Sequence, residues 1–144
     1  MAPPQAPAAH RPTADVLTVI ALGGAVGALA RYGLALALPH GAGAFPWATW
    51  VTNVVGCLLV GVLMGAIDVA GRPHRLLRPF LGVGLLGGFT TFSTYTVEVH
   101  ELLDAGALTT AFAYLAGTVL AALAAVAAGL ALTRWATRPR RQTS

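Results

Sequence analysis

Long apolar runs separated by short polar stretches organise the chain. A helix needs about 20 apolar residues to cross the hydrocarbon core of a bilayer, and four segments reach that length, at residues 16–38, 47–67, 79–97 and 108–132. The pattern predicts an all-α membrane protein with a transmembrane domain over residues 15–133. The Pro- and Ala-rich residues 1–14 predict a disordered tail, and residues 134–144 a basic C-terminal tail.

The third predicted span contains a segment that does not suit a membrane helix. Residues 87–94 read Gly-Gly-Phe-Thr-Thr-Phe-Ser-Thr, which places two glycines and four hydroxyl groups inside apolar sequence. Irregular backbone at membrane depth must be buried in protein or line a water-filled path, because hydrocarbon offers no partner for freed backbone groups. The segment therefore predicts a helix broken around Gly87 and Gly88 with an ion site beside it. Close packing of small residues around a kink is the alternative.

The broken segment offers ligands for a cation and for an anion. Backbone carbonyls released by unwinding are hard oxygen ligands that suit Na⁺. Phe92 and Tyr95 are three residues apart and share a helix face, and the edge of an aromatic ring carries positive charge. Ser93 and Thr94 add hydroxyl donors, so the residues alone leave both chemistries open.

Three further polar residues lie in or beside the predicted spans. Asn53 lies midway through the second span, where it either joins two helices or donates an N–H to a small anion. Arg31 lies in the second half of the first span and either snorkels to the interface or pairs with a carboxylate. Glu98 follows the broken segment as an interfacial carboxylate, a partner of Arg31 or a vestibule group.

Composition supports a membrane protein and argues against other classes. Of 144 residues, 56% are hydrophobic and only 10% are charged, which is unusual for a soluble domain. All nine basic residues are arginine, and most flank apolar runs, which indicates membrane topology rather than nucleic-acid binding. The lone Cys57 offers neither a disulfide framework nor a metal cluster. No nucleophile, histidine and carboxylate occur together at membrane depth, so the sequence does not predict an enzyme.

Arginine is concentrated on one side of the predicted spans. Eight arginines precede the first span, surround the second loop or follow the fourth span, namely Arg11, Arg72, Arg75, Arg78, Arg134, Arg138, Arg140 and Arg141. The opposite side has His40 in the first loop and His100, Glu101 and Asp104 in the third. The positive-inside rule therefore predicts that both termini are cytoplasmic. Four helices from one small chain hardly enclose a conduit, so we expect a dimer.

Three motifs together resemble the Fluc/CrcB family of fluoride channels. They are residues 87–94 given above, Gly23-Gly24-x-x-Gly27-Ala28-x-x-Arg31-Tyr32 in the first span, and Asn53-x-x-Gly56 in the second. The resemblance covers the chain except its tails. It implies an inverted two-fold dimer of four-helix subunits with two fluoride pathways. It also implies a central Na⁺ that is structural and is not transported.

The resemblance also assigns the site residues. The carbonyls of Gly87 and Thr90 would bind Na⁺. The fluoride pore would be lined by Asn53, Phe92, Ser93, Thr94, Tyr95, Tyr114 and Thr118, and Arg31 and Glu98 would have structural or vestibule roles. The second aromatic residue of the family's pair is usually phenylalanine, whereas this chain has Tyr95. Its phenol adds a donor and an acceptor that bind fluoride, hydrate the pore or narrow it.

The function expected from this resemblance is passive export of F⁻ from the bacterial cytoplasm across the inner membrane. Weak, multiple contacts permit exit as well as binding, and chloride is too large for such a track. The arginine bias conflicts with insertion of one chain in both orientations. A heterodimer with an oppositely oriented paralogue is therefore an alternative to the homodimer. A non-conducting or partner-dependent subunit is likewise an alternative to a self-sufficient channel. A small multidrug-type antiporter would need a carboxylate embedded in the first span, and Asp15 lies only at its entrance.

Overall fold

Four apolar helical segments of membrane-spanning length make up the part of the chain described by the computed structural model, residues 13–71 and 73–137. Three are continuous helices: α1 (Ala14–Ala37), α2 (Trp47–Ala70) and α5 (Leu108–Ala136). The described residues contain no strand. The predicted all-α fold with four spans is thus confirmed. The predicted tails fall mainly on residues 1–12 and 138–144, outside the described residues.

The remaining span consists of three helical pieces in sequence. A π-helix covers Arg78–Leu86, a single α-helical turn, α3, covers Gly87–Phe89, and α4 covers Ser93–Asp104. Pro79 lies in the first turn of the π-helix, where a missing N–H costs little. The broken third helix predicted from the sequence is therefore present.

Helix α4 is longer than the sequence indicates. It ends at Asp104, so His100, Glu101 and Asp104 lie on the helix and not in the third loop. The helix continues because Leu102 is buried, although Glu101 and Asp104 close to it are charged. It ends where Gly106 adopts a positive φ of 72° and the Ala107 N–H donates to the Leu102 carbonyl at 2.9 Å, a glycine C-terminal arrangement.

Glycines bring the helix backbones into direct contact in two pairs of spans. A Cβ added to Gly23 of α1 would lie 2.5 Å from the Phe80 carbonyl oxygen of the π-helix. A Cβ added to Gly129 of α5 would lie 2.8 Å from the Val62 nitrogen of α2. Small residues at helix contacts are the usual means of close packing in a bilayer. The subunit is therefore built from α1 against the third span and α2 against α5.

The buried core lies at one end of the bundle, between α4, α5 and the loop before α2. Its centre consists of Tyr95, Leu102, Ala111 and Tyr114, and Tyr114 is completely buried. Many large apolar side chains of α1 and α5 are exposed instead, including Leu29 at 69% and Leu120 at 67%. An apolar exterior is what a bilayer or a second subunit covers.

Candidate ion pathway at the broken helix

The break lies at Thr90–Phe92, about three residues after its predicted position. Gly87 has helical dihedrals (φ −66°, ψ −34°), whereas Thr90 is extended (φ −75°, ψ 157°). The prediction that the helix unwinds at Gly87 and Gly88 is therefore wrong in position. The physical reason is packing, since a Cβ on Gly88 would lie 2.9 Å from the Gly24 Cα of α1. Gly88 allows close approach to α1, whereas a Cβ on Gly87 would meet only the Gly82 carbonyl oxygen, at 3.9 Å. The break itself lies at the hydroxyl residues that follow.

Asn53 of α2 bridges the break. Its Nδ2 donates to the Thr91 carbonyl at 2.9 Å, and its Oδ1 accepts from the Thr91 N–H at 2.8 Å. The N–H and the carbonyl of Thr91 thus both have hydrogen-bond partners. Such partners are required at membrane depth, because hydrocarbon offers none. The sequence allows Asn53 either to join two helices or to donate to an anion. In the structure its amide joins α2 to the third span, and the residue also lines the cavity described below.

The Thr91 side chain begins the next helix. Its Oγ1 accepts the backbone N–H of Thr94 at 3.1 Å and contacts the hydroxyls of Thr94 at 3.0 Å and Ser93 at 3.3 Å. This bond satisfies a backbone donor in the first turn of α4, as a capping side chain does. The hydroxyl run therefore has a local structural function in restarting the helix as α4.

Two backbone carbonyls at the break lack a hydrogen-bond donor within the described residues. The Thr91 N–H, which would continue the helix by donating to Gly87, donates to Asn53 instead. The Thr94 N–H, which would donate to Thr90, donates to the Thr91 hydroxyl. The carbonyl oxygens of Gly87 and Thr90 are left as hard oxygen ligands, whereas the Gly88 carbonyl accepts from Arg31 Nε at 3.3 Å. Gly87 and Thr90 thus suit a cation such as Na⁺.

A cavity of about 420 Å³ opens beside the break and combines polar groups with aromatic rings. Phe92 is 79% exposed, and its ring centroid lies 5.8 Å from that of Tyr95. Thr118 of α5 is buried, and its Oγ1 has no hydrogen-bond partner in the described residues. The lining residues are Asn53, Gly87, Thr90, Thr91, Phe92, Tyr95, Thr118, Val119, Ala122 and Leu123. The cavity thus joins six of the residues predicted for the site.

The Tyr95 hydroxyl is already engaged in a hydrogen bond within the protein. It donates to the Leu115 carbonyl of α5 at 2.7 Å, and the residue is 5% exposed. The phenol therefore ties α4 to α5 and leaves the ring beside Phe92 as the part that lines the cavity.

Glu98 is the centre of a second polar cluster, nearer the end of the bundle. It is 8% exposed, accepts from Thr49 Oγ1 at 2.7 Å and accepts from the Tyr114 hydroxyl at 2.6 Å. His40 Nε2 lies 3.7 Å from the carboxylate. Tyr114, predicted for the pore, thus donates a hydrogen bond to Glu98 and does not line the cavity at the break. Ser93 does not line that cavity either.

A cavity of about 220 Å³ joins this cluster to Arg31 and Thr94. Arg31 lines the same cavity as Glu98, yet its Nε donates to the Gly88 carbonyl and not to the carboxylate. The sequence did not indicate that Thr49 and His40 belong to the site. Thr49 lies one helical turn before Asn53, which is the one signal that could have suggested it.

The described residues place no three His, Cys, Asp or Glu side chains where they could hold a metal ion. Fold and site together define a multi-pass membrane protein with polar cavities around a broken helix.

Comparison with known proteins identifies the family. The model of the CrcB family, described as CrcB-like protein, Camphor Resistance, matches residues 18–130. The chain therefore belongs to the CrcB family. A relative from Nocardia farcinica, named fluoride-specific ion channel FluC 2, is 56% identical over 127 residues, 88% of this chain and 91% of the relative. The resemblance found in the sequence is thus confirmed, as is the expectation that the chain is not an enzyme.

Two Streptomyces relatives have similar names. FluC 2 from Streptomyces avermitilis is 52% identical over 118 residues, 82% of this chain and 75% of the relative. FluC 1 from Streptomyces coelicolor is 52% identical over 128 residues, 89% of this chain and 80% of the relative. Both are named fluoride-specific ion channels, and the numbers in these names indicate more than one such protein in an organism.

Proposed function

We propose that this protein is a fluoride-selective channel that lets F⁻ leave a bacterial cell passively through the inner membrane. The observation that carries the proposal is the cavity at the break, where Asn53, the unpartnered Thr118 hydroxyl and the Phe92 and Tyr95 rings meet. Fluoride loses a large hydration free energy in a narrow pore. Hydroxyl donors, an amide and ring edges compensate in several weak steps, which permits release.

The route proposed for the anion runs along the two cavities. Arg31, Thr94 and Glu98 line the one nearer the end of the bundle, and Asn53 belongs to the one at the break. In this route an anion that enters from the end of the bundle meets Arg31 before Asn53. The fixed charge of Arg31 therefore attracts the anion without holding it at the narrowest point. Since Phe92 is largely exposed in the single chain, a second subunit is needed to close the path.

We propose Na⁺ as a structural ion held by the carbonyls of Gly87 and Thr90 from each of two subunits. Both oxygens lack donors in the described residues, and hard oxygen ligands suit this ion. Bound there, Na⁺ would supply positive charge that holds the two broken helices together. Replacing Na⁺ with N-methylglucamine should therefore lower the thermal midpoint of the dimer. An unchanged midpoint would count against the ion.

The assembly we propose is an inverted dimer with two fluoride pathways. The family resemblance favours a homodimer, and the arginine bias of the sequence favours an oppositely oriented paralogue, which the numbered names of the relatives also suit. With the dominant orientation taken from the arginines, both termini of this chain are cytoplasmic. A subunit that conducts only with its partner is the second candidate function.

The experiment that tests the function is F⁻ release from liposomes that contain only this purified protein. A fluoride electrode records release after valinomycin dissipates the membrane potential, and chloride-loaded vesicles are the control. Rapid release of F⁻ without Cl⁻ is expected. Chloride release at a comparable rate would refute selectivity, and no release from folded protein would favour the partner-dependent subunit.

A further inference from the structure

His40 lies against the carboxylate of Glu98 at the end of the bundle. It belongs to the loop between α1 and α2, and its Nε2 is 3.7 Å from Glu98 Oε1. The His40 side chain is 27% exposed, whereas that of Glu98 is 10% exposed. The imidazole therefore has access to solvent protons, and the carboxylate behind it has little.

The second ring nitrogen of His40, Nδ1, lies 3.4 Å from the Gly41 carbonyl oxygen and can donate to it when Nδ1 carries the proton. In that neutral form Nε2 is an acceptor that faces the Glu98 carboxylate. Proton uptake at Nε2 converts this contact into a charge-assisted bond.

The position of the pair gives this proton a consequence for an anion. His40 and Glu98 both line the 220 Å³ cavity that also contains Arg31, and both line a neighbouring cavity of about 310 Å³ that contains Glu101. The titratable and charged groups around the carboxylate are Arg31 from α1, Tyr114 from α5, Glu101 from α4 and His40 from the loop. His40 is the one among these whose residue type normally changes charge between pH 5 and 8.

We infer that His40 sets the charge at the mouth of the fluoride pathway according to pH, an inference that rests on the proposed function. When His40 is neutral, the negative charge of Glu98 is met only by the hydroxyls of Thr49 and Tyr114, and it opposes anions in the cavity. When His40 is protonated, His40 and Glu98 together carry no net charge. The positive charge of Arg31 then determines the electrostatic potential in the cavity. Local potential of this kind governs the rate at which charged ligands enter a cleft.

The test is F⁻ release from the same liposomes at pH 7.5, 6.5 and 5.5, with equal pH on both sides and protein-free vesicles as the leak control. We expect the rate to rise by about threefold or more between pH 7.5 and 5.5. His40→Gln should flatten that dependence, which is measured for each variant as the ratio of its own rates at pH 5.5 and pH 7.5. His100→Gln is the matched control, because His100 is exposed on α4 and lines neither cavity, and it should keep the wild-type pH profile.

Four outcomes contradict the inference. A wild-type rate that is independent of pH, or a His40→Gln variant with the wild-type pH profile, would refute it while leaving the channel function intact. If the His100→Gln variant loses the pH dependence, His40 is not the residue that causes it. Absence of release at every pH would overturn the proposed function, and the role of His40 with it.

Discussion

Asn53 and the backbone of Thr91 are joined by two hydrogen bonds, 2.9 Å from Nδ2 to the carbonyl and 2.8 Å from the N–H to Oδ1. The side-chain amide thus takes the place of the helical bonds that the break removes. One residue of α2 thereby fixes the position of the irregular backbone in the third span.

The first prediction follows from that pair of bonds. Asn53→Ala leaves both backbone groups of Thr91 without partners, which should destabilise the fold by about 2 to 4 kcal/mol and lower the thermal midpoint in detergent. Val55→Ala is the matched control, since Val55 lies on the same helix and is 39% exposed. Equal midpoints for the two variants would show that the amide does not support the break.

The sequence predicts the fold of this chain well because the signal is composition over long windows. Four apolar runs are sufficient to predict four spans, and the structure has four helical segments of that length. The end of α4 is not visible from hydropathy because His100, Glu101 and Asp104 are polar, although Leu102 between them is buried.

The site was predicted less completely, for two physical reasons. Glycine permits both a break and a close approach, and the sequence cannot distinguish these roles at Gly88 without knowing that α1 lies against it. Partners distant in sequence were also invisible, such as Thr49 and Tyr114 on either side of Glu98. Four residues of the motif, by contrast, line one cavity, because the motif itself encodes the break: Gly87, Thr90, Thr91 and Phe92.

The second prediction concerns Tyr95. Its hydroxyl donates to the Leu115 carbonyl at 2.7 Å, so the group that distinguishes it from phenylalanine is already bonded to α5. Tyr95→Phe should keep F⁻ release within about twofold of wild type and cost about 1 kcal/mol of stability. Flux assays and thermal melts of the variant measure both quantities. A tenfold change in flux would mean that the phenol acts on the ion.

The third prediction separates two glycines of α1. A Cβ on Gly27 would overlap the Leu85 carbonyl oxygen and lie 2.7 Å from the Phe89 nitrogen, whereas a Cβ on Gly33 would meet no atom within 4 Å. Gly27→Ala should destabilise the subunit by about 1 to 3 kcal/mol, since backbone cannot move aside as a side chain does. Gly33→Ala should melt at or above the wild-type temperature, because Ala favours helix over Gly. Similar midpoints for both variants would contradict the close contact of α1 with the third span.

The last prediction concerns Thr118, whose buried Oγ1 has no partner in the described residues. Such a group costs stability unless something binds it, and it lines the cavity with Asn53 and Phe92. Thr118→Val keeps the shape and removes the hydroxyl, so the thermal midpoint should stay equal or rise. Release of F⁻ should fall by about tenfold, because one donor to a desolvated anion is lost, an effect of about 1.5 kcal/mol.

The conservative variant Thr118→Ser restores the donor and serves as the control for that change. It should recover most of the F⁻ release while leaving a small gap where the methyl group was. A role in packing alone predicts the reverse order, with valine close to wild type in flux and serine impaired. The ranking of the two variants in one flux assay therefore decides whether the hydroxyl acts on the ion or merely fills space.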